Sequence, residues 1–159
     1  MKLLLLGKNG QVGFELSRAL APLGSVVAVG RSGCDLTDAL AIRNLVGQTQ
    51  PDLVVNAAAY TAVDRAENDS DLAFAVNAVA PGVLGEAAAQ IGALVVHYST
   101  DYVFDGSEEQ PYFESDTTNP QSVYGASKLA GEIALARSGA KYLIFRTSWV
   151  VGAYGGNFA

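Results

Sequence analysis

Cysteine, histidine and excess positive charge are scarce in this chain, and each scarcity excludes a class of protein. The one cysteine, Cys34, excludes an internal disulfide framework, and no Cys/His spacing is typical of a metal site. The net charge of −6 argues against a nucleic-acid surface. The apolar run at residues 3–6 is too short for a signal peptide, and no apolar run is expected to approach a membrane span. We therefore expect a cytoplasmic protein that binds neither nucleic acid nor a membrane.

Short apolar runs alternate with helix-like stretches along the chain. Half of the 159 residues are apolar and 16% are charged, which is typical of one globular domain over residues 1–159. Strands joined by crossover helices indicate right-handed βαβ units, so we predict a doubly wound parallel α/β sheet of the Rossmann type. The predicted strands are 2–6, 25–30, 52–56, 93–98 and 141–146, and the predicted helices are 11–23, 38–48, 70–91 and 122–137.

Local signals predict helix caps, one loop and the place of a ligand. Asp38 and Asp71 stand where helix N-caps are expected. Residues 105–121 contain a glycine and two prolines among polar residues, which is typical of a surface loop. Ligands of parallel sheets bind at the carboxyl ends of strands. The candidate binding segments are therefore 7–13, 30–35, 56–61, 98–102 and 147–152.

A glycine-rich turn follows the first predicted strand. Gly7, Gly10 and Gly13 form a G-x-x-G-x-x-G pattern ahead of a predicted helix. Glycines let the backbone approach a pyrophosphate, and a helix N-terminus offers free N–H groups and a positive dipole end. The turn predicts a dinucleotide site, with a tight turn that holds no ligand as the alternative.

A tyrosine and a lysine stand four residues apart in the last predicted helix. At this spacing Tyr124 and Lys128 lie on one helix face and can address one bound molecule. A free phenol has a pKa of about 10, and a nearby cation brings that pKa towards neutrality. The pair alone is also common on solvated helices. With the glycine-rich turn, it favours a nicotinamide cofactor and an acid–base tyrosine.

Four strings in order along the chain carry a resemblance to a known family. Together with the Tyr124/Lys128 pair, they resemble the extended short-chain dehydrogenase/reductase superfamily and, within it, the dTDP-4-dehydrorhamnose reductases. The resemblance implies NADPH-dependent reduction of the C4 ketone of dTDP-4-dehydro-6-deoxy-L-mannose to dTDP-L-rhamnose. The strings are GKNGQVG at 7–13 with Glu15, NAAAYTAVD at 56–64, HYSTDYVF at 97–104 and FRTSW at 145–149.

The resemblance assigns catalytic and substrate-binding residues. Tyr124 would protonate the developing alkoxide, and Lys128 would bind the nicotinamide ribose and depress the tyrosine's pKa. Thr100 would orient the carbonyl, with a strand-end cap as its alternative role. The substrate-binding residues implied are Thr100, Asp101, Tyr102 and Trp149, the last with packing as its alternative.

The resemblance also implies a set of cofactor-binding residues. Arg31 follows the second strand, where an arginine can meet a 2′-phosphate, so NADPH is favoured and NADH is the alternative. A solvated surface role for Arg31 stays open. The implied residues are Gly7, Asn9, Gly10, Gln11, Val12, Gly13, Gly30, Arg31, Asp35, Leu36, Ala59, Tyr60, Thr61, Tyr98, Tyr124 and Lys128.

Further implications concern metal, partners and residues without a function. In the family, a glutamate at the position of Glu15 helps to bind Mg²⁺ between two subunits of a homodimer. Its partner ligands come from later sequence, so no metal is expected for these residues alone. His97 is expected to be a satisfied core histidine, and Cys34 a small buried apolar residue.

Family members are about twice as long as this chain, which stops inside a motif that should lead into a helix. We therefore expect a truncated piece that exposes apolar sheet edge and turns over poorly, although it binds dinucleotide. Two other functions stay open. One is a non-catalytic NADP-binding regulatory subunit like that of methionine adenosyltransferase, and the other is a different nucleotide-sugar reductase or epimerase.

Overall fold

Five parallel strands form the centre of the molecule. The computed structural model describes residues 1–154. The strands are β1 (Lys2–Leu6), β2 (Ser25–Val29), β3 (Leu53–Asn56), β4 (Leu94–Thr100) and β5 (Lys141–Thr147), and their order in the sheet is β2-β1-β3-β4-β5. All five lie within one or two residues of their predicted bounds. Because every pairing is parallel, the carboxyl ends of all five strands meet at one edge of the sheet.

Helices cover both faces of this sheet, as a doubly wound fold requires. Helices α2 (Ala39–Thr49), α5 (Ala80–Ile91) and α6 (Val123–Arg137) pack side by side over one face. Helix α1 (Gln11–Ala19) packs on β1, on the face that a right-handed connection from β1 to β2 requires. Leucines of β1 are therefore buried on both faces. The predicted fold class is confirmed.

The long helix predicted at 70–91 contains an irregular turn. It begins as α4 (Ser70–Phe74), widens into a π turn over Ala75–Val79, and continues as α5. A short helix, α3 (Val63–Ala66), precedes it, and single 3₁₀ turns lie at Ala21–Leu23 and Asp101–Val103. The sequence pattern predicted none of these, since a π turn keeps the apolar composition of the helix that contains it.

The expectation that no apolar run approaches a membrane span is wrong in one place. The segment Ser70–Ile91 is long and apolar enough to cross a membrane by length and composition. It instead packs against α2 and α6, and most of it is buried inside the protein. Its apolar character is explained by contact with protein on several sides.

The two predicted helix caps have different outcomes. Asp38 caps α2, because its carboxylate accepts hydrogen bonds from the backbone N–H groups of Leu40 (2.9 Å) and Ala41 (3.0 Å). Asp71 is no cap, since α4 begins at Ser70 and places Asp71 inside the first turn. Residues 105–121 contain no helix or strand, as predicted.

Strand β5 leaves an apolar surface uncovered in residues 1–154. It pairs with β4 on one side, and its other edge pairs with none of the described strands. The side chains of Tyr142, Leu143 and Phe145 are 41–50% exposed. This matches the expectation that the chain exposes a sheet edge and apolar side chains.

The Asp38 cap predicts a measurable contribution to stability. Asp38→Ala should lower the free energy of unfolding by about 1 kcal/mol, because two N–H groups of α2 lose their acceptor. Asp38→Asn keeps an oxygen acceptor and should lose less than half as much. Asp71→Ala removes a charge near the helix start and should cost only about 0.3 kcal/mol. Urea denaturation measures all three, and equal losses for the two alanine variants would contradict the assignment.

Candidate active site

The carboxyl ends of the strands border an open cleft of about 500 Å³. Its walls are the turn after β1, the loops after β2 and β3, the end of β4 and one face of α6. All predicted cofactor residues except Gly13 line this cleft. The predicted residues that line it are Gly7, Asn9, Gly10, Gln11, Val12, Gly30, Arg31, Asp35, Leu36, Ala59, Tyr60, Thr61, Tyr98, Tyr124 and Lys128.

The glycine-rich turn brings bare backbone to the floor of the cleft. Gly7 has a φ of +87°, and a Cβ on it would come within 2.7 Å of the Ala58 backbone nitrogen. A Cβ on Gly13 would overlap the Gly7 carbonyl oxygen, so Gly13 lets α1 pack close to β1 and contacts no ligand space. Helix α1 follows Gly10 without a side-chain cap on its first N–H groups. Those groups suit an anion such as a pyrophosphate.

The loop after β2 presents a cation at the far end of the cleft. The Arg31 side chain is 79% exposed, and its Nε lies 3.9 Å from an Asp35 carboxylate oxygen. The Asp35 carboxylate is held more firmly than the Arg31 side chain, because it accepts hydrogen bonds from the N–H and the hydroxyl of Thr37, both at 2.9 Å. These bonds lower the pKa of Asp35. Arg31 therefore reaches solvent beside the cleft. It lies next to the carboxylate of Asp35, which stays ionised.

The loop after β3 is fixed by a buried asparagine in the π turn. The Asn77 side chain accepts a hydrogen bond from the Tyr60 N–H (2.9 Å) and donates to the Tyr60 carbonyl (3.0 Å). It also donates to the Ser127 hydroxyl at 3.0 Å, which in turn donates to the Tyr124 carbonyl at 2.7 Å. Asn77 thus ties the cleft loop to the helix that carries Tyr124. Sequence reasoning missed this residue because neither its spacing nor its type marks a π turn.

Helix α6 points Tyr124 and Lys128 into the same cleft, as their spacing predicts. The helix starts where the Ser122 hydroxyl accepts a hydrogen bond from the Gly125 N–H. Lys128 is 1% exposed, and its Nζ donates to the Tyr98 carbonyl at 2.6 Å. Burial lowers the pKa of Lys128 to about 8. The lysine is therefore a buried, easily deprotonated group.

The predicted lowering of the tyrosine's pKa is not what the structure shows. Burial raises the pKa of Tyr124, and the charge of Asp101 and the neighbouring Tyr102 raise it further, while a hydrogen bond with Thr100 lowers it. Lys128 is not among the groups that shift the pKa of Tyr124. Tyr124 is therefore a protonated phenol at neutral pH.

His97 is a buried, hydrogen-bonded core residue, as expected. It is 1% exposed, and its Nδ1 lies 3.1 Å from the amide nitrogen of Asn56. Its Nε2 lies 3.4 Å from Lys128 Nζ. Burial, and secondarily the charge of Lys128, hold the pKa of His97 well below its ordinary value. The imidazole is neutral. Cys34 is also buried, as expected.

Three of the predicted substrate residues cluster where β4 ends. The Thr100 hydroxyl donates to an Asp101 carboxylate oxygen at 3.0 Å and accepts from the Tyr102 N–H at 3.2 Å. Asp101 also accepts from the Ser148 hydroxyl at 2.7 Å. The Tyr102 ring meets the Tyr124 ring edge-on, with centroids 5.7 Å apart. This cluster lies beside Tyr124 and outside the residues that line the cleft.

Trp149 and Glu15 lie further from the cleft centre. Trp149 follows β5 in the left-handed region (φ 48°), and its side chain is 69% exposed. Glu15 is exposed on α1. Within residues 1–154, no three or more His, Cys, Asp or Glu side chains come together as metal ligands. The motif that should lead into a helix extends past Tyr154, and its residues 155–159 lie outside the described residues.

Ser99 is a cleft residue that sequence reasoning quoted but did not assign. It is 4% exposed and lines the cleft, and its hydroxyl has no hydrogen-bond partner among the described residues. A buried hydroxyl without a partner is costly, so a ligand in the cleft could supply what it lacks. The alternation along β4 would have indicated Ser99, since it shares one face of the strand with the buried Val95 and His97.

Comparisons with known proteins agree with this geometry. Residues 1–159 match the family described as the RmlD substrate binding domain. A dTDP-4-dehydrorhamnose reductase of Burkholderia thailandensis is 54% identical over 158 residues, which cover 99% of this chain and 53% of that protein. The chain thus spans about half the length of the curated relatives it matches.

Solved structures of similar proteins carry the same fold. A dTDP-4-dehydrorhamnose reductase of Clostridium acetobutylicum has a TM-score of 0.96 and 43% identity. One of Bacillus anthracis, in complex with NADP, has a TM-score of 0.95 and 37% identity. Each match covers 99% of this chain and 56% of the other. This chain belongs to the family of the RmlD substrate binding domain.

Proposed function

We propose that the full-length protein reduces the C4 ketone of dTDP-4-dehydro-6-deoxy-L-mannose with NADPH, which gives dTDP-L-rhamnose. The observation that carries this proposal is that Tyr124 and Lys128 line a glycine-floored cleft, with Thr100 beside Tyr124. Relatives at up to 54% identity bear the name of that reductase, which favours it over a regulatory subunit or an epimerase.

The cleft residues fit a nicotinamide dinucleotide. Gly7 lets the turn after β1 pack directly against the Ala58 backbone, where a Cβ would have no room, and the Ser99 hydroxyl in the same cleft has no partner among the described residues. The B. anthracis relative was solved with NADP. In this proposal the pyrophosphate lies against residues 7–13, and Arg31 meets the 2′-phosphate. The bound cofactor supplies the hydride.

Tyr124 acts as the general acid in this proposal. Its raised pKa keeps the phenol protonated at neutral pH, so it can give a proton to the oxygen on which negative charge develops. Thr100 hydrogen-bonds to Tyr124, and in this proposal its single hydroxyl proton turns from Asp101 to the carbonyl oxygen and so orients the carbonyl. Lys128 binds the ribose next to Tyr124. Once Tyr124 has released its proton, a charged Lys128 favours the phenolate.

The sugar side of the site is formed in part by this chain. Asp101, Tyr102 and Trp149 are proposed to hold the pyranose, because a carboxylate and aromatic faces suit a sugar's hydroxyls and its apolar face. Tyr102 and Trp149 are exposed on the side of the cleft next to the uncovered β5. A homodimer and Mg²⁺ bound near Glu15 remain proposals for the full-length protein.

Tyr124→Phe isolates the acid role. In a chain extended to the relatives' full length, the rate of NADPH oxidation should fall by roughly 10²- to 10⁴-fold, because only the proton donor is lost. NADPH binding should change less than about threefold, since the ring stays in place. Tyr112→Phe is the matched control, because Tyr112 lies in the 105–121 loop and bonds Asp105. Turnover close to the unsubstituted level in Tyr124→Phe would refute the role.

Arg31→Ala tests the choice of cofactor. The dissociation constant for NADPH should rise about tenfold or more, because a charge-assisted contact to the 2′-phosphate is lost, whereas that for NADH should hardly change. Fluorescence titration of residues 1–159 measures both. Arg43→Ala, which removes an exposed cation paired with Glu86 on the helical face, is the control. If the dissociation constants for NADPH and NADH changed equally, Arg31 would be a surface residue that does not contact the 2′-phosphate.

Residues 1–159 alone are expected to bind NADPH and to turn over poorly. The dinucleotide residues are complete in this chain, but the exposed β5 and the open sugar side leave the substrate without an enclosed pocket. Calorimetry with NADPH and an oxidation assay with the dTDP-sugar measure the two properties. Robust ketone reduction by these residues alone would contradict the expectation.

A further inference from the structure

A line of buried polar groups runs from the floor of the cleft to Lys128. The Ala58 N–H donates to the Asn56 side-chain oxygen at 3.2 Å. The amide nitrogen of Asn56 lies 3.1 Å from Nδ1 of His97, which stands beside it in the β3–β4 register. His97 Nε2 lies 3.4 Å from Lys128 Nζ. Asn56, His97 and Lys128 are each 1% exposed, so all three side chains are buried.

The first member of this line fixes the proton on the imidazole. A backbone N–H can only donate, so the Asn56 amide must turn its oxygen to Ala58 and its NH₂ to His97. Nδ1 of His97 is then the acceptor. Since burial keeps the ring neutral, its one proton is on Nε2. The N–H of Nε2 therefore points at the Nζ of Lys128.

A charged Lys128 ammonium interacts unfavourably with the Nε2–H group of His97. A charged lysine has three donors and no acceptor, so the Nε2–H group and the ammonium would face each other as two donors. A neutral amine has a lone pair that accepts from His97, while it still donates to the Tyr98 carbonyl 2.6 Å away. The arrangement therefore destabilises the charged lysine relative to the neutral amine.

The other charged and titratable groups around Lys128 do not reverse this preference. Glu132, one turn further along α6, raises the pKa of Lys128, yet its carboxylate is engaged by Arg146 of β5 at 2.7 and 3.0 Å. Tyr124 is a neutral phenol at neutral pH. Burial lowers the pKa of Lys128 to about 8 in spite of Glu132.

We infer that Asn56 locks His97 in its Nε2–H form, and that His97 is a positioning residue which opposes the charged form of Lys128. Lys128 then gives up its proton more readily than a lysine that faced the Tyr98 carbonyl alone. The significance for catalysis rests on the proposed function, because Lys128 acts there beside Tyr124. The proton arrangement itself does not depend on it and is measured without turnover.

The imidazole signals provide a direct test, because this chain has one histidine. Long-range ¹H–¹⁵N correlation of residues 1–159 should show a protonated Nε2 and an unprotonated Nδ1, unchanged between pH 6 and about 7.5. The Lys128 Cε signal, identified by its loss in Lys128→Met, should titrate near pH 8. A proton on Nδ1, or protonation of the ring in this range, would overturn the inference.

Two substitutions of Asn56 are expected to move the proton. Asn56→Asp presents only acceptors, so the His97 proton should shift to Nδ1, and Nε2 should accept from an ammonium. The Lys128 midpoint should then rise by about one pH unit or more. Asn56→Leu removes the amide without adding a charge and should shift the proton in the same direction. Asn44→Asp, which adds a charge on the exposed side of α2, is the matched control and should change neither signal.

The pair of variants separates the inference from simple charge effects. If Asn56→Leu leaves the proton on Nε2, Asn56 does not lock the ring and the inference fails. If the Lys128 midpoint rises in Asn56→Asp while the proton stays on Nε2, charge alone accounts for the rise and the inference also fails. Loss of activity in Tyr124→Phe bears only on the proposed function.

Discussion

The burial of Lys128 is the constraint on which the rest of the site depends. A lysine side chain lies inside a protein only where its Nζ finds partners, and here helix α6 must pack closely on β4 for Nζ to reach the Tyr98 carbonyl. Two glycines of α6 let the helix pack closely on the turn after β4 and on the π turn. A Cβ on Gly125 would overlap the Tyr102 carbonyl oxygen, and one on Gly131 would overlap that of Asn77. Close helix packing therefore determines both the position and the protonation of the lysine.

The same close packing links parts of the site that are far apart in sequence. Asn77 joins the loop after β3 to α6, and Asn56 joins the cleft floor to the fourth strand. Both are buried amides, which can donate and accept at once and so can connect two backbones. The loops that line the cleft and the Tyr124 helix are consequently one connected unit.

Much of this arrangement could be predicted from the sequence. Apolar runs with intervening helical patterns predicted all five strands, and the G-x-x-G-x-x-G turn predicted the cleft floor, because these features depend on local spacing. The i, i+4 spacing placed Tyr124 and Lys128 on one helix face. Asp38 was predicted as a cap from residue type alone, and the same reasoning was wrong for Asp71, where α4 starts one residue earlier.

The features that the sequence did not predict depend on contacts between distant residues. The direction of the Tyr124 pKa shift is set by burial and by Asp101, whereas spacing alone suggested that Lys128 would lower it. The membrane-like composition of Ser70–Ile91 reflects packing on several sides. Ser99 was quoted in a motif, but its unpartnered hydroxyl is visible only in three dimensions.

The π turn at Ala75–Val79 lets one long helix both pack on its neighbours and hold the loop after β3. A π turn holds one residue more than an α turn, and one residue of an α-helix corresponds to a rotation of about 100°. The extra residue lets α5 keep its apolar face on α2 and α6 while Asn77 turns towards the Tyr60 loop. A chain one residue shorter here would retain a regular helix but would point that amide elsewhere. The local length of this helix is thus a determinant of the cleft's shape, independent of the side chains that line it.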